Sequence, residues 1–313
     1  MAYNRYSDFL KIKYNEKVYK IPINLDVTCP NRDGNCGNGG CTYCGDIGVG
    51  YEMIDNNVNI KTQLEKNMAN IKKKYNAKYF IAYLQNYSNT YIEIEKFKNV
   101  LDELIHPDVV GVSISTRPDC INDKYLAIIE EFKNKTNYDI CIELGLQTVN
   151  YHSLAKINRG HTLAEFIDAT LRIKQFGFEI AVHLILNLPW DTITDVIENA
   201  KVMSAMNITY VKMHALYIVK DTLMAQQYLD EQIELITVEE YKERVITFLR
   251  YLHPNIVIQR VIGRVPDEYA VFANWGVSWW KIHDEIIDTM KQNNFVQGDL
   301  CNYLNGKAVK KFV

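Results

Sequence analysis

Four of the seven cysteines fall between positions 29 and 44, in the run Thr28-Cys29-Pro30-Asn31-Arg32-Asp33-Gly34-Asn35-Cys36-Gly37-Asn38-Gly39-Gly40-Cys41-Thr42-Tyr43-Cys44-Gly45. Thiolates are soft ligands, and glycines between them let the backbone fold back so that sulfurs distant in sequence converge. Two metal chemistries suit such a loop. Three thiolates can hold an iron–sulfur cluster and leave one iron open to a small ligand. Four thiolates spaced C-x6-C-x4-C-x2-C can hold a tetrahedral zinc ion. A three-thiolate cluster can draw on Cys29, Cys41 and Cys44, or on Cys36, Cys41 and Cys44. The first set is favoured, because Cys29 directly follows an apolar run that reads as a strand, where a barrel places its active-site residues.

Other polar residues stand after other strand-like runs. Glu143-Leu144-Gly145-Leu146-Gln147-Thr148 precedes Asn158-Arg159-Gly160-His161-Thr162. The Gln147 amide and the Arg159 fork suit a ribose and a carboxylate, although in isolation a surface ion pair or a loop bond is the better explanation. Ser115-Thr116-Arg117-Pro118-Asp119 reads alone as a turn that starts a helix. The run Gln85-Asn86-Tyr87-Ser88-Asn89-Thr90-Tyr91 is rich in amides, hydroxyls and aromatics for a plain turn. His214 reads as a hydrogen-bonded core histidine.

The elements that would position these residues alternate. Short apolar, often β-branched runs at Lys20–Leu25, Tyr79–Leu84, Val109–Ser115, Ile140–Gly145, Ile180–Leu186 and Tyr210–Leu216 predict buried parallel strands. Between them, 59–74, 91–105, 122–133, 162–175 and 191–206 carry apolar residues at helical steps, and Thr162 with Glu165 suggests a capping box. Six β-then-α units predict an α/β parallel sheet with right-handed crossovers, short of the eight units of a full barrel. A seventh run, Ile256–Val261, follows a helix at 238–252 and extends the sheet. The segment 266–313 reads as a helical cap with Trp275, Trp279 and Trp280 buried, giving a core over 1–265 and an extension over 266–313.

The bulk numbers are those of a globular protein: 313 residues, 48% hydrophobic, 23% charged, with a formal net charge of −3. An odd number of cysteines, clustered, makes a poor disulfide framework and points to a reducing compartment. Charged residues through the first twenty positions leave no apolar leader, and the apolar runs are too short to span a bilayer. A cytoplasmic, non-membrane protein is expected. Lys11, Lys13, Lys17, Lys20, Lys72, Lys73, Lys74, Lys307, Lys310 and Lys311 are candidates for phosphate contact, or form an ordinary solvated face.

Together, the segments Cys29-Pro30-Asn31-Arg32-Asp33-Gly34, Thr116-Arg117-Pro118-Asp119, Gly145-Leu146-Gln147-Thr148 and Asn158-Arg159-Gly160-His161-Thr162 resemble the radical S-adenosylmethionine (SAM) superfamily. Within it they look most like the branch related to the catalytic subunit of Elongator, and especially its bacterial YhcC and YtqA (MnmL) family. The resemblance implies a partial (β/α)6 TIM-type barrel with a C-terminal extension. It implies a [4Fe–4S] cluster on Cys29, Cys41 and Cys44, with Cys36 a spare thiol. SAM would be met by Tyr43 beside the adenine and by Thr116, Gln147 and Arg159. Gln85 and Asn86 stand where many relatives have a glycine-rich stretch that meets the SAM amino group, and that stretch is missing here. The implied activity is reductive cleavage of SAM to a 5′-deoxyadenosyl radical. The electron comes from a flavodoxin- or ferredoxin-type donor. The implied substrate is a wobble uridine of tRNA, processed from carboxymethylaminomethyl-uridine to aminomethyl-uridine; a small metabolite or peptide is the alternative.

Overall fold

Strand-forming runs and helix caps predicted from the sequence are realised with small shifts at their ends. The computed structural model describes residues 2–45, 53–263 and 267–312. In chain order its main elements are α1 (Tyr6–Tyr14), β1 (Val18–Ile23), α2 (Ile60–Tyr75), β2 (Tyr79–Leu84), α3 (Ile94–Glu103), β3 (Val109–Thr116), α4 (Asp123–Thr136), β4 (Asp139–Gln147), α5 (Tyr151–Lys156), α6 (Leu163–Gln175), β5 (Glu179–Ile185), α7 (Ile193–Ala205), β6 (Tyr210–His214), β7 (Ile218–Val219), α8 (Leu223–Leu229), α9 (Val238–Tyr251), β8 (Val257–Arg260), β9 (Ala270–Phe272) and α10 (Trp279–Gln292). The main sheet has the order β1-β2-β3-β4-β5-β6-β8, so the six expected strands and the seventh all enter it. This is the expected α/β partial barrel.

The chain divides into two units. One holds residues 7–146 and 154–183. In it β1, β2, β3 and β4 pair in parallel, with Ile21 beside Ala82 and Ala82 beside Val112. One face of these strands is apolar up to Thr116 at the end of β3: Ile21, Ile23, Leu84, Ile114, Ile142 and Leu144 are fully buried. The other face carries Tyr83, Ser113, Ser115, Cys141 and Glu143. Period-two alternation separates the two sets. The Thr162–Glu165 capping box forms at the start of α6, as predicted, and satisfies two otherwise orphaned backbone N–H groups.

On the polar face, Glu143 is fully buried and pairs with Lys20 Nζ, while His183 Nε2 lies 2.8 Å from its other oxygen. Lys20 also sits 4.2 Å from the centre of the Tyr83 ring. Lys20 is therefore no phosphate ligand, and Lys13 is likewise drawn into ion pairs with Glu179 and Asp139. A cation within reach of a desolvated carboxylate gains more there than from bulk water.

The other unit holds residues 1–6, 147–153 and 184–313. Here β6 and β8 pair in parallel, and α7 packs on α9. The C-terminal segment departs from the helical cap expected. Its β9 pairs antiparallel with β7, two strands too short to carry a periodic signal. Trp279 and Trp280 are exposed (41% and 56%), contrary to expectation. They occupy the first turn of α10, ahead of the buried stripe Ile282, Ile286, Ile287 and Met290. Trp275 is half-buried, its indole N–H donating to the Ile236 carbonyl at 2.7 Å. The expected boundary at 265/266 lies outside the described residues. The sequence reading also missed α1, which buries only Leu10, and the short helices α5 and α8. Among the described residues no helix is long and apolar enough to cross a membrane.

Candidate active site

The cysteine loop leaves β1 and folds back through local turns. Arg32 N donates to Cys29 O (2.8 Å), Cys36 N to Pro30 O (2.8 Å), Gly40 N to Asn31 O (2.8 Å) and Cys44 N to Cys41 O (2.9 Å). The segment before α6 clamps it from outside. Thr42 N donates to Ile157 O (3.0 Å), and Asn158 Nδ2 donates to Gly40 O (2.8 Å) and Asn38 O (3.2 Å). Asn31, completely buried, returns the contact by donating to Asn158 O at 2.5 Å. Two glycines make room for it. A Cβ on Gly37 would overlap Asn31 Oδ1, and one on Gly160, whose φ is +79°, would come within 2.6 Å of it.

Each of three thiols is faced by a different arginine. Arg117 Nη1 points at Cys29 Sγ (3.9 Å), Arg159 Nη1 at Cys41 Sγ (3.5 Å) and Arg32 Nη1 at Cys44 Sγ (3.7 Å). Asn31 Nδ2 adds a second donor to Cys41 (3.7 Å). The guanidiniums are held from behind. Arg117 forks onto Asp119 (2.8 and 2.7 Å) and donates to Arg159 O (2.9 Å). Arg159 donates to Gly145 O from Nε and Nη2 (3.2 and 2.6 Å), and Arg32 to Cys44 O and Gly45 O (3.2 and 3.1 Å). Cys36 is exposed and shares none of these donors.

Burial and charge oppose each other here. Burial pushes the Cys44 thiol up to about 11, with repulsion from Cys41 adding to it and Arg32 working against both. Burial would also raise the Asp119 carboxyl, but Arg117 overrides it and holds that group below the usual carboxylate range. Burial first, and then Arg159 and Arg117, push His161 down to about 3. Among the described residues no three His, Cys, Asp or Glu side chains are placed to hold a single metal ion. The donor set instead fits an anionic cluster: three soft sulfurs, each under a cationic N–H donor.

His161 carries a testable consequence. Its folded-state value is depressed from the ordinary 6.5, so the unfolded chain takes up the proton first as pH falls. The stability His161 contributes is complete above about pH 6.5 and is lost at about 1.4 kcal/mol per pH unit toward pH 3. Urea unfolding of the protein and of His161→Gln, near pH 7 and near pH 5, checks this. The variant should lose less stability on acidification, and equal losses would refute the assignment.

The remaining sequence-predicted residues lie at strand ends. Thr116 closes β3, its hydroxyl 2.6 Å from that of Thr90. Asn86 is buried just after β2, with Nδ2 3.5 Å from Asn24 Oδ1, and its own Oδ1 has no hydrogen-bond partner among the described residues. Gln85 is half-buried, its N–H donating to Ile23 O at 3.4 Å. Tyr43 is half-buried, and burial of Arg159, which would lower its affinity for a proton, is outweighed by Cys41 and Tyr43. Gln147 ends β4 with φ of +80°, an uncommon conformation for a residue with a side chain. The structure thus gathers Cys29, Cys41, Cys44 and Arg159 at one locus. It adds Asn31, Arg32, Arg117 and Asn158, which sequence reasoning gave no role. Their only signal was membership of the quoted segments, since the contacts they make run up to 127 positions along the chain.

Comparison with family models identifies a family. The model described as Radical SAM superfamily matches residues 33–203, and that described as Radical_SAM C-terminal domain matches 208–292. Protein MJ0486 of Methanocaldococcus jannaschii is 32% identical over 298 residues, 94% of this chain and 91% of that one. YtqA of Bacillus subtilis is 28% identical over 307 residues, 98% and 95% of the two chains. Among solved structures, the archaeal Methanocaldococcus infernus Elp3 with an N-terminal deletion superposes with a TM-score of 0.67 at 17% identity. It covers 90% of this chain and 64% of that one, a likeness of fold.

Proposed function

Because this chain belongs to the radical SAM superfamily, we propose that it holds a [4Fe–4S] cluster on Cys29, Cys41 and Cys44 and modifies a wobble uridine of tRNA. The observation that carries the reading is the convergence of these three thiols, each under its own guanidinium. When bound, the cluster supplies one electron to SAM, whose C–S bond breaks to methionine and a 5′-deoxyadenosyl radical that takes a hydrogen from substrate.

The chain's own residues bind and orient. Asn86 Oδ1, buried and without a donor among the described residues, accepts from the SAM ammonium group. Tyr43 packs beside the adenine, and Gln85, Thr116, Gln147 and Arg159 supply polar contacts at the strand ends. Asn31 and Asn158 hold the loop in shape, so that the sulfurs are in place before ligand arrives.

The likeness to the Elongator branch supports tRNA, and specifically conversion of carboxymethylaminomethyl-uridine to aminomethyl-uridine. An anticodon loop presents unpaired bases that reach a recessed site cheaply. Tyr87 and Tyr91 flank the cysteine loop, Tyr87 under Arg32 at 5.7 Å and Tyr91 bonded to Asp33, where aromatic rings can stack on a splayed base. Exposed Lys73, Lys74, Lys310 and Lys311 offer phosphate contacts. A flavodoxin- or ferredoxin-type donor in the cytoplasm supplies the electron.

The test incubates reconstituted enzyme, SAM and reductant with unmodified and with carboxymethylaminomethylated tRNA. Nucleosides and 5′-deoxyadenosine are then quantified together. Loss of the carboxymethyl group coupled to deoxyadenosine formation is the expected result. Deoxyadenosine that forms equally with and without tRNA, with every uridine unchanged, would leave a small metabolite or peptide as the substrate.

A further inference from the structure

Arg32, Arg117 and Arg159 reach their sulfurs from 12, 88 and 118 positions away, so three separate stretches of chain deliver one cation to each thiol. Local loop geometry cannot account for that. Arg117 and Arg159 are buried, 2% and 7% exposed, and Arg117 donates directly to the backbone of Arg159. Burying two cations side by side is costly unless anions compensate them. Asp119 supplies one negative charge, on Arg117. Among the described residues, Cys41 is the group that acts most strongly on Arg159 against its burial, so the thiolates and whatever they hold add negative charge here.

We infer that these three arginines set the reduction potential of the cluster, one guanidinium per cysteine sulfur. This rests on the cluster assignment above. Adding an electron adds one negative charge beside three guanidiniums, one of them offset by Asp119, in a site where Cys41 is buried and Cys29 and Cys44 are half-buried. That favours the reduced form and moves the midpoint potential upward, toward the reach of a low-potential one-electron donor. The N–H donors act in the same direction, because they stabilise charge on sulfur as it accumulates. Arg159 is thus a positioning and tuning residue toward Cys41, whatever it also contributes to SAM.

The competing explanation is that the arginines only brace the loop, since Arg32 also bonds Cys44 O and Gly45 O. Charge-removing and charge-keeping variants separate the two. The full chain is reconstituted anaerobically as the parent protein, Arg32→Gln, Arg32→Lys and the charge-balanced pair Arg117→Met with Asp119→Asn. The pair avoids stranding a buried carboxylate. Iron and sulfide content are measured first, and midpoint potentials are then followed by electron paramagnetic resonance during a reductive titration.

Arg32→Gln should keep parental iron content and shift the midpoint to more negative values, while Arg32→Lys stays nearer the parent; the Arg117 pair, which removes a cation and its counter-anion together, should shift it less than Arg32→Gln. Unchanged midpoints at full iron content would overturn the inference. So would equal iron loss from Arg32→Gln and Arg32→Lys, which would make shape rather than charge the function of the residue. A parent protein that takes up no cluster would fail earlier, refuting the cluster assignment independently of any arginine.

Discussion

Replacing any one of Cys29, Cys41 or Cys44 with alanine is expected to abolish the bound iron and sulfide, whereas Cys36→Ala keeps them. The reason is local. Cys29, Cys41 and Cys44 each face a guanidinium, and Cys41 also faces Asn31, whereas Cys36 is exposed and outside that set. A cluster with three protein ligands has none to spare, so loss of one thiolate should leave it too weakly held to survive gel filtration. The measurement is iron and acid-labile sulfide per chain after anaerobic reconstitution, with the broad absorbance near about 400 nm that such clusters show. A Cys36→Ala protein without iron, beside a Cys29→Ala protein that retains it, would transfer the ligand set to Cys36, Cys41 and Cys44. About one zinc per chain and no iron would instead establish the tetrahedral thiolate site.

The second large effect concerns folding. Glu143→Ala should destabilise the protein by about 3–5 kcal/mol, because it removes the anion between Lys20 and His183 on the polar face of the strands. Glu143 has no exposed side-chain surface, so screening by water does not soften the loss. Lys20 would be left without its carboxylate in a partly desolvated position. Urea denaturation of Glu143→Ala, and of the double variant Lys20→Met with Glu143→Leu, gives the comparison. The double variant should recover most of the lost stability, because a matched apolar pair carries no stranded charge. A single variant within about 0.5 kcal/mol of the parent would show that Glu143 is not a structural anion here.

Much of this protein was determined by local sequence alone. Short apolar, often β-branched runs placed the strands of the sheet, because a strand with a buried face must carry apolar residues along that face. Thr162 and Glu165 announced the start of α6, because a capping box is satisfied within four residues. The clustering of Cys29, Cys36, Cys41 and Cys44 among glycines was legible in the same way. Short-range chemistry leaves short-range signals.

What only the tertiary structure decided has the opposite character. Arg159 lies 118 positions from Cys41, and Arg117 lies 88 from Cys29, so no spacing rule joins them. Asn31 had no role in the sequence reading, and only the fold shows Gly37 and Gly160 making room for its side chain. Lys20 read as a surface cation, because alternation along β1 does not say that the polar face meets a buried Glu143. Trp279 and Trp280 read as core by residue type, yet α10 buries the stripe that begins at Ile282, and the first turn of a helix can leave its side chains in water. The sequence carried the elements and the thiols. The charges that surround those thiols were set by which strand ends the parallel sheet brings side by side.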